Sequence, residues 1–556
     1  MLIFGPAILM ASWLAPAQAV QADDSALGRG LIAHWPLAGD AQDRSGRERH
    51  ASFHGDIDWL ASGPRKRPGT AAAFNGRDGF LEVLGDRTPH LGTSDFSIAA
   101  WVDVPEDLDD VPGDILSQYD PGRRRGFHLT IKTNAGVTFS QPNLRSLQFG
   151  IDDHRESEWL DCGRPGEALL AFALAVHQGE LYAGTCEPEQ GAAGRVYRYA
   201  GGQRWIDCGA PDRANAVTAL AVHDGQLYAG TGKYRLAGSA LPESPNVELG
   251  GRIFRYGGGT GWIDCGQLPE VEAVGGMVVF RGRLYASSLY RPAGFFRHDG
   301  EKSWTDCGTP GGQRVEALGV YNGFLYATSY DGGHVYRYDG QSWTDCGRLG
   351  DNTQTYSLAV YEGRLYTGTW PSGRVYRFED LNRWTDVGRL GHELEVMGML
   401  VHNGRLIAGT LPLAEVYAFR NDSVWERLAR LDHTPDVKYR RAWTMAEHAG
   451  RLYCSTLPSG RVYSFAAGQN VSWDHPFPAG WHHVAAIRAA GRLTLFVDGQ
   501  RVAQSDSFDS RPFELSSDHA LRIGFGPNDY FCGRLADVRL YGRALDGAEI
   551  RKLAAK

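Results

Sequence analysis

Several kinds of chemistry are missing from these 556 residues. No Cys-x-x-Cys and no cluster of His with Cys occurs, so the ligand spacing of a zinc site is absent. There is no His-Glu-x-x-His helix, no nucleophile elbow and no phosphate-cradling glycine loop, which removes the common local signatures of hydrolytic and nucleotide-binding enzymes. Charge of one sign is lacking too. The 57 Lys and Arg are scattered among 65 Asp and Glu for a formal net charge of −8, so no basic stripe is available to hold a phosphate backbone, and nucleic acid is excluded as a partner. Beyond residue 22 no apolar run approaches the ~18 residues that a membrane-spanning helix needs, so no span is expected.

What the chain has in abundance is glycine (71), tyrosine (24) and tryptophan (15), a composition suited to many short strands joined by tight turns. One phrase recurs from Trp159 to about Ala467: Trp-x-Asp-Cys-Gly, an apolar run, Leu-Tyr-Ala-Gly-Thr, then Gly-Arg-Val-Tyr-Arg-Tyr. It starts at Trp159, Trp205, Trp262, Trp304, Trp343 and Trp384, with a degraded copy at Trp425. A period near 40 residues with short alternating segments is the signature of a β-propeller with four strands per blade. In residues 343–380, Ser357–Tyr361 suits the strand nearest the axis and Arg364–Thr369 returns after the Glu362-Gly363 turn. Val375–Phe378 follows with a period of two, and Trp384–Val387 completes the blade. Seven sets of inner strands predict seven blades. The phrase at Trp159 precedes the first set, so it is expected to supply the outer strand of the last blade and close the ring.

Residues 1–22 are apolar and end in Ala17-Gln18-Ala19 or Val20-Gln21-Ala22, the small-residue spacing of a signal peptidase site, which predicts export. Eight cysteines in an exported chain would ordinarily suggest disulfides. Cys162, Cys208, Cys265, Cys307 and Cys346, however, occupy one place in successive repeats, too far apart for the ~7 Å Cα limit of a disulfide, and are expected to be free, buried thiols.

On either side of the repeats lies a second pattern. Leu31-Ile-Ala-His-Trp-Pro-Leu37, Gly39-Asp40, Asp43-Arg-Ser45-Gly46, Ala73-Phe-Asn-Gly76 and Phe96–Val102 precede them. Gly480-Trp-His-His-Val484, Leu493–Gly499, Leu521–Gly524 and Leu535–Tyr541 follow them. In this order the motifs resemble the laminin-G-like, concanavalin-A-like jelly roll. The resemblance implies an all-β chain in which a seven-bladed propeller is inserted into a two-sheet sandwich. The boundaries expected are a signal peptide at 1–22, the first jelly-roll part at 28–156, the propeller at 157–469 and the second jelly-roll part at 470–554. The repeat itself is similar to the kelch type in layout, without that family's Gly-Gly pair in most copies. Some jelly-roll relatives hold a structural calcium, which the resemblance would place at Asp43 and Asp537.

Function is sought where the repeats stop agreeing, since Arg195, Arg252, Arg374 and Arg461 recur with the blade and belong to its framework. On one loop face the copies offer Tyr290, Tyr330 and Trp370, a longer loop carrying Tyr234, and the polar residues Glu272, Glu316, Glu395 and Arg441. Aromatic rings beside carboxylates and a guanidinium suit a sugar, whose C–H face stacks while its hydroxyls are bonded. Charges at a solvated mouth are equally what solubility demands. The expected function is thus an exported, non-catalytic binding protein for carbohydrate or a glycoconjugate, located in the periplasm, at the cell surface or outside the cell. A glycan hydrolase is the alternative, because three carboxylates around a funnel admit an acid and base pair. A protein–protein scaffold is the third reading.

Overall fold

The computed structural model of the protein describes residues 27–64 and 68–555. The expected signal segment lies outside them. Two antiparallel sheets form a sandwich from the two ends of the described chain. One has eight strands, with Phe96–Val104 between Cys532–Tyr541 and Gly480–Ala489. The other has seven and runs from Ser52–His54 through Gly113–Asp120, Arg125–Asn134 and Asn143–Glu156 to Ala467–Pro476. Side chains alternate across each strand, so one face of each sheet supplies the core. Phe96, Phe127, Phe149, Val484, Leu521 and Leu535 are fully buried there. The outer face of Phe96–Val104 is buried as well. Nearby, the helix Gly547–Ala555 lays Ile550 and Leu553 in one apolar cluster with Ala99 of that strand and with Ala485 and Ile487.

The repeats build antiparallel sheets whose first strands line an axis. Their number corrects the expectation of seven separate blades. Five four-stranded blades stand alone, while the first two copies of the repeat share one eight-stranded sheet, joined where Cys186 pairs Ala216. An edge pair that remains hydrogen-bonded merges two blades that their spacing alone would separate. Closure is as the order of phrases predicts. Leu160 and Asp161 pair Ser464 and Tyr463 as the outer strand of the last blade, and Arg461 grips Asp161 at 2.6 Å.

The repeated phrase has a mechanical explanation. Each indole donates to the preceding copy: Trp205 to the Cys162 carbonyl at 2.9 Å, Trp262 to Cys208, Trp304 to Cys265 and Trp384 to Cys346. Trp343 differs slightly and bonds the Gly308 carbonyl. The Asp of the phrase accepts the N–H of the glycine two residues on, as at Asp207 and Asp345. Its remaining charge is met by the repeated arginine, in the pairs Arg195–Asp207, Arg252–Asp264 and Arg374–Asp386. All eight cysteines are free, and four of the five repeated ones are buried.

The sandwich also enters the propeller. Its hairpin between Arg125–Asn134 and Asn143–Glu156 pushes residues 135–142 into the axis and bonds one inner strand after another. The Gly136 carbonyl accepts from the N–H of Leu358, that of Phe139 from Met277, and that of Pro142 from Val176, while Gln141 Oε1 accepts from Val279. Gln141 N–H donates to Leu220 and Thr444 Oγ1 donates to Val137. Gly136 is required at its place: φ is +70°, and a Cβ would lie 3.1 Å from Leu358 Cβ and 3.3 Å from the Leu318 carbonyl. At the base of this plug, Glu447 accepts from Lys132 (2.7 Å), His402 Nδ1 (2.8 Å), Asn134 and Gln148. Burial pushes the Glu447 carboxyl up, but Lys132 and His402 overcome this and hold it far below the usual carboxylate range.

Candidate functional site

With the sandwich docked on one face, the opposite mouth of the axis is left as a cavity of about 350 Å³. Its lining comes from both folds. Phe139 stands at the tip of the plug and contributes to the lining, 5.8 Å from Phe172, 6.0 Å from Trp443 and 6.3 Å from Tyr330 between ring centres. Thr138 before it is held at φ +54°, a conformation that costs a β-branched residue about 1–3 kcal/mol and persists only where the surroundings fix it. The walls are Tyr356, 4.8 Å from Tyr330, together with Tyr234, Tyr290 and Trp443. The Trp443 indole N–H is committed to the Phe172 carbonyl at 2.8 Å, which fixes the ring.

Tyr234 is set by the long loop of the second copy. Asn215 clamps its backbone on both sides, and its hydroxyl meets Ser239 at 2.8 Å. The next residue, Arg235, lies over the Tyr290 ring at 4.3 Å and pairs with Glu272 at 2.6 Å. Four polar side chains join these rings around the cavity: Arg235, Gln354, Glu395 and Arg441. Tyr356 donates its hydroxyl to Gln354 Oε1 at 2.5 Å. Glu395 is 2% exposed and Arg441 6%. Glu395 Oε1 and the Nε and Nη1 of Arg441 are buried without a hydrogen-bond partner. Burial pushes the Glu395 carboxyl up to about 7, against the opposing pull of Arg441 and the Tyr356 hydroxyl.

Of the residues singled out from the sequence, Tyr234, Tyr290, Tyr330, Glu395 and Arg441 line this one cavity. Three do not. Glu272 is outside the lining, held by Arg235. Trp370 packs on the same aromatic cluster but turns edge-on to Tyr439, with centres 6.2 Å apart. Glu316 is not on the rim. Leu318 pairs Ala327 as Leu358 pairs Thr367, so Glu316 sits level with Tyr356, one layer into the axis. It is fully buried, both of its oxygens are unpartnered, and burial raises its carboxyl well above the usual range, with Arg314 opposing. Gly275 leaves the room for it, since a Cβ there would come 3.2 Å from Glu316 Oε2.

Asp43 and Asp537, the residues that the jelly-roll resemblance offers to a calcium, are engaged by protein partners. Asp43 already accepts the N–H groups of His34, Ser45 and Arg49 and the Ser45 hydroxyl. Asp537 is taken up by His34 Nε2 at 2.6 Å and by Arg539. Both carboxylates organise turns and strands, and no group of three or more His, Cys, Asp or Glu that could hold an ion occurs among the described residues.

Residues 436–551 match the concanavalin A-like lectin/glucanases superfamily, a stretch that includes the inner strand of the last blade as well as the second part of the sandwich. No curated protein sequence matches the chain. Among solved structures, a streptogramin B lyase is similar over 55% of this chain and 97% of its own, at 9% identity and a TM-score of 0.45. The virginiamycin B lyase from Staphylococcus aureus with quinupristin has 10% identity and a TM-score of 0.43, over 56% of this chain and 99% of its own. YCF48 from Cyanidioschyzon merolae has 11% identity and a TM-score of 0.40, over 56% and 99%.

Proposed function

We propose that this is an exported, non-catalytic binding protein for carbohydrate, with a kelch-like propeller inserted into a laminin-G-like sandwich and its site in the axial cavity. The observation that carries this reading is the lining itself: tyrosine and tryptophan rings around a closed-ended cavity, with Gln354, Glu395 and Arg441 among them. Sugars are recognised by that combination, a ring face for the C–H groups and planar polar groups for adjacent hydroxyls. A hydrolase would need two carboxyl groups facing each other across the bond. Glu395 is the single carboxylate in the lining, with Glu316 and Glu272 outside it, and this favours binding over cleavage.

A glycan array probed with the intact protein tests the reading, followed by calorimetry on any sugar retained. Tyr330→Ala removes one wall of the cavity and is expected to weaken that sugar by about 2 kcal/mol, roughly thirtyfold. Undiminished affinity in Tyr330→Ala and Tyr290→Ala would put the sugar elsewhere on the molecule.

A further inference from the structure

The guanidinium of Arg441 has no carboxylate within ion-pair distance among the described residues. The Tyr439 and Trp443 rings are each 5.7 Å from its central carbon, and Glu395, the carboxyl that shares the cavity, acts on it from beyond ion-pair distance. Three other arginines around this face are neutralised: Arg235 by Glu272 at 2.6 Å, Arg314 by Asp331 at 2.9 Å and Arg291 by the same aspartate. A guanidinium is always charged, and one buried without a counter-charge is costly to keep. Arg441 is 6% exposed and lines the cavity, and the three N–H groups of its buried Nε and Nη1 meet no protein acceptor. A neutral sugar hydroxyl would accept one hydrogen bond from it but would leave its charge uncompensated. A carboxylate supplies both an acceptor for charge-assisted hydrogen bonds and the charge that no ion pair supplies to Arg441.

Resting on the carbohydrate reading above, we propose that the axial cavity is selective for an acidic sugar, a uronic acid or similar carboxylated residue, whose carboxylate takes the place of the missing counter-ion at Arg441. In this arrangement the sugar ring lies against Tyr330 and Tyr290, and Gln354 and Glu395 meet its hydroxyls. Glu395 then sets a second condition on the ligand. Its unpartnered oxygen needs a donor, so a hydroxyl beside the carboxylate is part of what the site recognises.

Isothermal titration of the intact protein with galacturonic and glucuronic acid trisaccharides, each against its neutral galactose or glucose counterpart, tests the assignment. The acidic member of a pair is expected to bind at least about tenfold tighter, the scale of one charge-assisted hydrogen-bonded contact. Arg441→Gln is expected to abolish that preference, bringing the acidic member of each pair down to the affinity of its neutral counterpart in the same variant. Should that variant fail to fold, the salt dependence of the unaltered protein decides: acidic-sugar affinity should fall with added sodium chloride while neutral-sugar affinity holds. Equal binding of acidic and neutral sugars overturns this proposal and leaves the carbohydrate reading standing. Binding of neither class overturns the carbohydrate reading and this proposal with it.

Discussion

Glu395 shows how a polar residue in an aromatic cavity affects the fold that holds it. Its carboxyl has an ordinary value of 4.5 and is pushed up to about 7 by burial. The folded protein therefore holds this proton more tightly than the unfolded chain. Folding takes up a proton between those two values, so stability falls as pH rises through that window and the penalty is complete above about 7. Its size is on the order of 3 kcal/mol. In urea titrations, Glu395→Gln should gain stability relative to the unaltered protein on going from pH 5 to pH 8, whatever constant offset the amide brings. A difference that stays flat across that range would mean the carboxyl is hydrated and ordinary. The sequence offered Glu395 as one of several charges on a rim, because it marks where inner strands begin. Its depth differs from that of Glu316 by a count of residues: Glu316 lies six positions before the turn at Asn322-Gly323, as Tyr356 does before Glu362-Gly363, whereas Glu395 lies eight before Asn403-Gly404 and so stays at the mouth.

Among the elements, the hairpin at 135–142 matters most to the site, and it was the least legible. Its residues read as a loop between two sandwich strands, and nothing in Ala-Gly-Val-Thr-Phe-Ser-Gln-Pro points to a partner more than 200 residues away. The blades, by contrast, were legible because each copy repeats the same contacts: indole to carbonyl, aspartate to glycine N–H, arginine to aspartate. Tyr356 and Trp443 are illegible in the sequence for the same reason as the plug. They point inward from the third position of an inner strand, where Phe172 and Met397 are simply apolar packing, and only the enclosed space at Phe139 makes them walls. Phe139 is 1% exposed although it belongs to the sandwich and packs entirely on propeller residues and its own loop. Phe139→Ala is expected to cost about 3–5 kcal/mol in equilibrium denaturation, the range for emptying a buried phenylalanine site. A loss under about 1 kcal/mol would show that the ring is not packed in the axis.

At the scale of the whole molecule, two folds share their interiors, and this changes what each can do alone. The propeller has what it needs to close: Leu160 and Asp161 pair Ser464 and Tyr463, and Arg461 bonds Asp161. Residues 157–467 are thus expected to fold as a separate fragment, but without the plug. Inner-strand groups such as the N–H of Met277, Val279 and Leu358 would lose their acceptors, and Glu447 would lose Lys132, Asn134 and Gln148. Buried polar groups left unpaired in this way are costly, so the fragment should unfold at clearly lower denaturant than the propeller does within the intact chain. Residues 28–156 face a harder problem. Their central strand, Phe96–Val104, has both neighbours, Gly480–Ala489 and Cys532–Tyr541, at the far end of the sequence. That fragment should show no cooperative transition. Circular dichroism in a urea series on the two fragments and the intact chain decides between the outcomes. A propeller fragment as stable as in the intact chain would make the plug a passenger, and a cooperatively folded 28–156 would mean the sandwich does not depend on strands from both ends.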